Sequence, residues 1–128
     1  MIMNFPENLR YSKEHEWIRV EGDVAVIGIT DFAQDQLGDI VFVDITTVDE
    51  TLDRNEVFGA LEAVKTVADL FMPLSGTIEE LNPLLEDEPQ KINEDPYGEG
   101  WIIKVRMSDP AEIDDLLDAA GYQEHIAG

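Results

Sequence analysis

Short apolar runs separated by turn residues make up most of the chain, and they predict strands. Trp17-Ile18-Arg19-Val20 leads through Glu21-Gly22-Asp23 into Val24-Ala25-Val26-Ile27-Gly28-Ile29. Two apolar runs about a Gly-containing turn read as a hairpin. Residues 30–37 break the strand pattern and predict a short helix. There Asp31 and Gln34 resemble a capping box, Phe32, Gln36 and Leu37 share a flank, and Gly38 supplies a stop. Residues 40–45 form an almost unbroken apolar run, which implies a strand buried on both faces. Residues 56–64 and 77–81 are further strand candidates. Along residues 101–107, Trp101, Ile103, Val105 and Met107 alternate with Ile102, Lys104 and Arg106, so one face is more polar.

The pattern switches to a helical period near the end. Asp109 is placed to cap, Pro110 takes the first helical position, and Glu112 completes a capping box. Ile113, Leu116, Leu117 and Ala120 fall on one side, and Gly121 closes the predicted helix over residues 109–120. The expectation is a mainly β protein with a short internal helix and a C-terminal helix. It forms a single domain, 1–128, with its core in about 11–107; no tandem repeat or low-complexity linker interrupts it.

Composition narrows the chemistry. At 128 residues and 44% hydrophobic, the chain can bury one real core. It has no Cys, which removes disulfides, thiolate metal sites and a cysteine nucleophile. No run approaches the ~20 apolar residues of a membrane-spanning helix. Residues 1–10 resemble neither a secretory signal nor a transit peptide, so a cytoplasmic location is expected. A net charge of −21 with eight cations argues against nucleic acid and anionic lipid as partners. It suits basic partner surfaces; an acidic surface kept for solubility in a salt-rich cell explains it equally well.

Residues 58–76 carry the candidate site. Two strand-like stretches flank Lys65, and the second ends in a Pro73…Ser75-Gly76 turn. A lysine at a hairpin tip projects its four-carbon stem away from the protein. Lys13 and Lys91 sit among loop signals and Lys104 on a strand. By its own physics Lys65 reads as a solvated turn residue. His15 lies between Glu14 and Glu16, and strand alternation would turn it away from both acids, so no shared metal ion is expected. It reads as a packing or hydrogen-bonding histidine, and His125 lies near a frayed end. No nucleophile, base and orienter set is present, so no catalytic residue is assigned.

Glu62-Ala63-Val64-Lys65, Ala68-Asp69 and Pro73-Leu74-Ser75-Gly76 together resemble the lipoylation hairpin of the glycine cleavage H-protein family. Tyr11-Ser12-Lys13-Glu14-His15-Glu16-Trp17, the stretch 26–43, and Asn93-Glu94-Asp95-Pro96-Tyr97-Gly98-Glu99-Gly100-Trp101 resemble three more of its blocks, in order. The resemblance covers about residues 11–117. It implies a flattened barrel or sandwich hybrid of the lipoyl/biotinyl-carrier type, with lipoic acid amide-linked to Lys65. Glu62 and Val64 would be read by the modifying enzymes: lipoate ligase, octanoyltransferase or lipoyl synthase. Glu14, Glu16 and Asp69 would line a cleft for the loaded arm. The implied role is non-catalytic shuttling of the aminomethyl group of glycine. It passes from a pyridoxal-phosphate decarboxylase (P protein) to a tetrahydrofolate-dependent aminomethyltransferase (T protein), and dihydrolipoyl dehydrogenase (L protein) reoxidises the arm. A monomer suits a carrier that visits several enzymes.

Some positions depart from the family pattern. Ala63 stands where Ser is frequent, residues 48–51 lack the usual Gly, and Arg54-Asn55 replaces Lys-Gly. Asn tolerates a left-handed backbone, so that turn can persist. An alternative is an H-like relay that passes lipoyl groups to other acceptors, which needs the same lysine. Val64 and Thr66 stand where a biotin site would have Met, and the Asp-Lys-Ala of dehydrogenase lipoyl domains is absent.

Overall fold

A computed structural model describes residues 3–127. The strands are β1 (Arg10–Tyr11), β2 (Glu16–Glu21), β3 (Val24–Ile29), β4 (Ile40–Asp44), β5 (Thr51–Leu52), β6 (Val57–Ala63), β7 (Val67–Phe71), β8 (Gly76–Leu81) and β9 (Ile103–Met107). The α-helices are α1 (Asp31–Leu37), α2 (Lys91–Glu94) and α3 (Ala119–Ala127), with 3-10 turns at Pro83–Glu86 and Pro110–Asp115. All strand pairs are antiparallel. One sheet has the order β1-β2-β3-β9-β8-β5, the other β4-β6-β7. Packed face to face they make the flattened barrel/sandwich that the family resemblance implies.

The main core lies between the sheets. Ile18, Ile27 and Val105 point inward from the larger sheet and meet Phe58, Leu61 and Leu70 of the smaller. The alternation that predicted the first hairpin is what sorts these side chains: Trp17 and Val26 lie on the opposite face from Ile18 and Ile27. That outer face holds a second cluster, in which Leu9, Tyr11, Ala119 and Tyr122 cover Trp17 and Val26. Gly28 stands opposite Trp17 in the β2–β3 register. A Cβ there would come within 2.6 Å of the indole nitrogen, so only glycine leaves room for the ring. The indole N–H donates to the Pro96 carbonyl at 2.9 Å. The sequence blocks around Trp17 and Pro96 are therefore halves of one contact.

Four expectations need correction. The C-terminal helix does not run over 109–120. Asp109 caps as expected, accepting from the Ala111 N–H, but it caps a 3-10 turn. The Glu112 carboxylate is taken by the Ser75 N–H and hydroxyl, at 2.8 and 3.0 Å, and so does not close a capping box. Leu116 is then extended, and Leu117 exchanges two backbone hydrogen bonds with Tyr11. Helix resumes only at Ala119 and runs through Gly121. Second, β4 is not buried on both faces: it is an edge of the small sheet, and Val41 and Phe42 face solvent. Third, the cap of α1 is Thr30, whose hydroxyl accepts from the Ala33 N–H, while Asp31 is inside the helix and accepts from the Gln34 amide. Fourth, Lys91 opens a helix instead of sitting in a loop, and pairs with Glu94 and Glu99.

Candidate functional site

The β6–β7 hairpin presents the candidate lysine. Glu62 pairs with Val67, and the Ala63 N–H donates to the Thr66 carbonyl at 2.8 Å, which leaves Val64 and Lys65 as a two-residue tip. Val64 N–H donates to the Asp39 carbonyl, fixing the tip's base to the segment before β4. Val64, Lys65 and Thr66 are all exposed. The far end of the hairpin is clamped as well. Ser75 is held by Glu112, and Arg54 donates to Asp115 at 2.9 Å while its backbone N–H donates to the Ser75 hydroxyl. A tip mounted on paired strands with a clamped root projects its side chain along a defined direction.

The expected arm-cleft acids are not gathered in one place. Glu14 and Asp69 line a groove of about 380 Å³ between α1 and β7, with His15, Ile29, Phe32 and Leu37 among its walls. The shared flank of Phe32, Gln36 and Leu37 read from the sequence is the helix side of this groove. Glu16 lines a neighbouring recess of about 220 Å³, which Glu14 also borders. Glu16 is only 1% exposed. Its carboxyl accepts from the Ser12 hydroxyl and from the Phe71 N–H, joining the start of β2 to the end of β7. Burial pushes its pKa up to about 8, against the hydrogen bonds from Ser12 and Phe71, so it holds its proton at neutral pH.

His15 is a hydrogen-bonding histidine, as the sequence reading has it. It is not on a strand: its φ is 73°, and β2 begins one residue later. Nδ1 lies 2.8 Å from the Tyr122 hydroxyl, which also meets the Thr30 hydroxyl at 2.8 Å. Burial, then the neighbouring His125, lowers the His15 pKa. His125 is not frayed; in α3 it donates to the Lys13 carbonyl at 3.2 Å. Asn55 has φ 76° and Asp49 φ 75°, so both turns lacking the usual Gly hold left-handed residues.

Ser12, Tyr122 and Arg54 are site-supporting residues that the sequence reading missed. Each acts across a long sequence separation or inside an irregular turn, where no periodic signal exists. Among the described residues, no group of three or more His, Asp or Glu is placed to share a metal ion. Nor is any helix long and apolar enough to cross a membrane.

Comparison with known proteins adds an independent line. The family model described as glycine cleavage H-protein matches residues 9–127. A glycine cleavage system H protein of Bacteroides fragilis is 61% identical over 121 residues, 94% of this chain and 96% of that one. One from Bacteroides thetaiotaomicron is 60% identical over 126 residues, covering 98% and 100%. The crystal structure of a glycine cleavage system H protein from Mycobacterium marinum superposes with a TM-score of 0.87. That chain is 38% identical, and the match covers 97% of this chain and all of that one.

Proposed function

Because the chain belongs to the glycine cleavage H-protein family, we propose that it is a single-domain, non-catalytic lipoyl carrier with its arm amide-linked to Lys65. The observation that carries this reading is the tip itself: an exposed lysine on a two-residue turn, with a strand fixed on either side. A tip of this kind fits the group, because acylating Nζ disturbs no buried contact. When bound, the lipoyl group supplies a disulfide–dithiol pair that takes up and gives back the aminomethyl unit of glycine. The protein's own thiols cannot supply that chemistry, since it has none. In this role it moves between the P, T and L proteins in the cytoplasm as a monomer. Lipoate ligase, octanoyltransferase or lipoyl synthase prepare it.

The remaining residues hold and shelter. The α1–β7 groove lies beside the hairpin's return strand; Ala68 and Asp69 are roughly 10–13 Å along β7 from Lys65. Glu14 offers a carboxylate there to a cationic amine, and Asp69 borders the groove on β7. Ile29, Phe32, Leu37 and Leu70 supply apolar walls that keep water from it. Glu16, protonated and hydrogen-bonded, fixes the seam between β2 and β7 beside the groove. Glu62 and Val64 mark the hairpin for the modifying enzymes.

Peptide mass spectrometry after incubation with lipoate ligase, lipoate and ATP tests the attachment point. One lipoyl mass on the Lys65 peptide is expected, with none in Lys65→Arg and an unchanged urea midpoint, since an exposed tip contributes little stability. Lys65→Arg should also lose all glycine–bicarbonate exchange with P protein. Lipoylation elsewhere, or exchange that survives the substitution, would overturn the assignment.

A further inference from the structure

Resting on the carrier reading, we infer that the outer face of the three-stranded sheet is the docking surface for the enzyme that acylates Lys65. The partner surface it fits is apolar at its centre and cationic at its rim. The register defines the face. Phe42, Glu62 and Val67 stand side by side across β4, β6 and β7, and Asp44, Ala60 and Asp69 form the next row. Leu61 and Ala63 point the other way, into the core, so the outward residues are not needed to fill it. Phe42 is nonetheless 52% exposed, Val67 62% and Val64 71%. With Val41 they put four exposed apolar side chains near the lysine tip, and Glu62 stands between Phe42 and Val67.

The apolar surface does not stop at β4. Beside Phe42, a notch of about 240 Å³ is walled by Val43, Leu81 and Leu85, with Glu86 at its rim. A partner's aliphatic or aromatic side chain can seat there, and an adjacent cation can pair with Glu86. Charge points the same way. Glu62 lies between two exposed apolar side chains, flanked by Asp44 and Asp69 in the next row. Among the described residues none of these three acids has an ion-pair partner. Arg19, Arg54, Lys91, Lys104 and Arg106 are each held by acids elsewhere. An unneutralised carboxylate between exposed apolar side chains selects a partner that brings its own cation.

The lysine-modifying enzyme is the occupant that this geometry favours. It must grip the bare hairpin and enclose Nζ, and the surface continuous with the tip is this face. The groove, by contrast, lies across β7 against α1. In acyl transfer the neutral Lys65 amine attacks an activated acyl carbonyl, an acyl-adenylate. The amide C–N bond forms, the bond to the nucleotide phosphate breaks, and the amine proton goes to a base on the enzyme.

The test is steady-state acylation of the full chain by purified lipoate ligase with lipoate and ATP, varying the acceptor concentration. Phe42→Ser and Val67→Thr should each raise the acceptor KM at least tenfold, with kcat little changed. Glu62→Gln should lower kcat/KM several-fold and flatten its dependence on salt. Val20→Ser, at an exposed apolar position on β2 of the other sheet, should stay within twofold of the parent. Circular dichroism and urea midpoints confirm folding; if Phe42→Ser fails to fold, Val67→Thr, which keeps β-branching, decides. Parent-like KM values in Phe42→Ser and Val67→Thr would overturn the docking face while leaving the carrier reading intact. A parent chain that is not acylated at Lys65 would overturn both.

Discussion

Trp17 and Val26 stand on the outer face of the six-stranded sheet, and Phe42 and Val67 stand on the outer face of the three-stranded one. The first pair is covered and the second is bare. Covering the larger sheet takes an N-terminal segment with Leu9 and Tyr11, and α3 with Ala119 and Tyr122. Tyr11 stacks on Tyr122 at 4.9 Å between ring centroids, and the Tyr11–Leu117 backbone pair draws the two segments together. Among the described residues nothing comparable lies over the smaller sheet, where the lysine tip stands. The contrast separates two kinds of apolar surface: one removed from water to hold the fold, the other left in water beside the exposed lysine tip.

The strongest test of the contrast is truncation on the covered face. Trp17→Ala should lower stability by about 4 kcal/mol, from lost burial plus the cavity left behind. Urea unfolding followed by circular dichroism measures this, and a loss under ~1 kcal/mol would mean the second cluster is not part of the cooperative fold. The next effect lies at Glu16, on the seam between the two sheets. The folded state keeps this proton to about pH 8, whereas the unfolded chain releases it near 4.5. The folded state thus binds more protons across that window, so stability falls as pH rises from 4.5 to 8 and is level above it. Glu16→Gln should remove this slope. The variant should gain on the parent by an amount on the order of 3 kcal/mol between pH 5 and 8.5. Parallel pH profiles for the two proteins would contradict the buried protonated state. The smallest effect belongs to the bare face. Phe42→Ala should change the unfolding free energy by less than about 1 kcal/mol, and a Trp17-sized loss would place Phe42 in the core after all.

The two faces were not equally legible in the sequence. The β2–β3 hairpin, α1 and β9 follow from alternation, a break in the strand pattern ended by Gly38, and a turn glycine, all local signals. So does the lysine tip, because strand-like runs on both sides of Lys65 leave a turn little choice. β4 misleads for a physical reason. An apolar run has the same composition whether it is buried on both faces or exposed at a sheet edge, and only the neighbouring strands decide which. The C-terminal helix fails for another. Glu112 and Leu117 are claimed by Ser75 and Tyr11, 37 and 106 positions away, and those long-range bonds outcompete a local helical pattern of ordinary strength. The groove between α1 and β7 was half visible. The flank of Phe32, Gln36 and Leu37 could be read, but not the strand it would face.

Carboxylates set into the bare apolar face also govern how the protein meets its own copies. Two molecules approaching through this face would bring Glu62, Asp44 and Asp69 against their like, in a chain that already carries a net charge of −21. Like charges pressed together in a drying contact cost more than the exposed valines and one phenylalanine return. The same repulsion would oppose edge-to-edge strand pairing at β4 and β7, the edges of the small sheet. On the proposed docking face, acidity would thus separate self from partner, opposing contact with a second copy while favouring a surface of opposite sign.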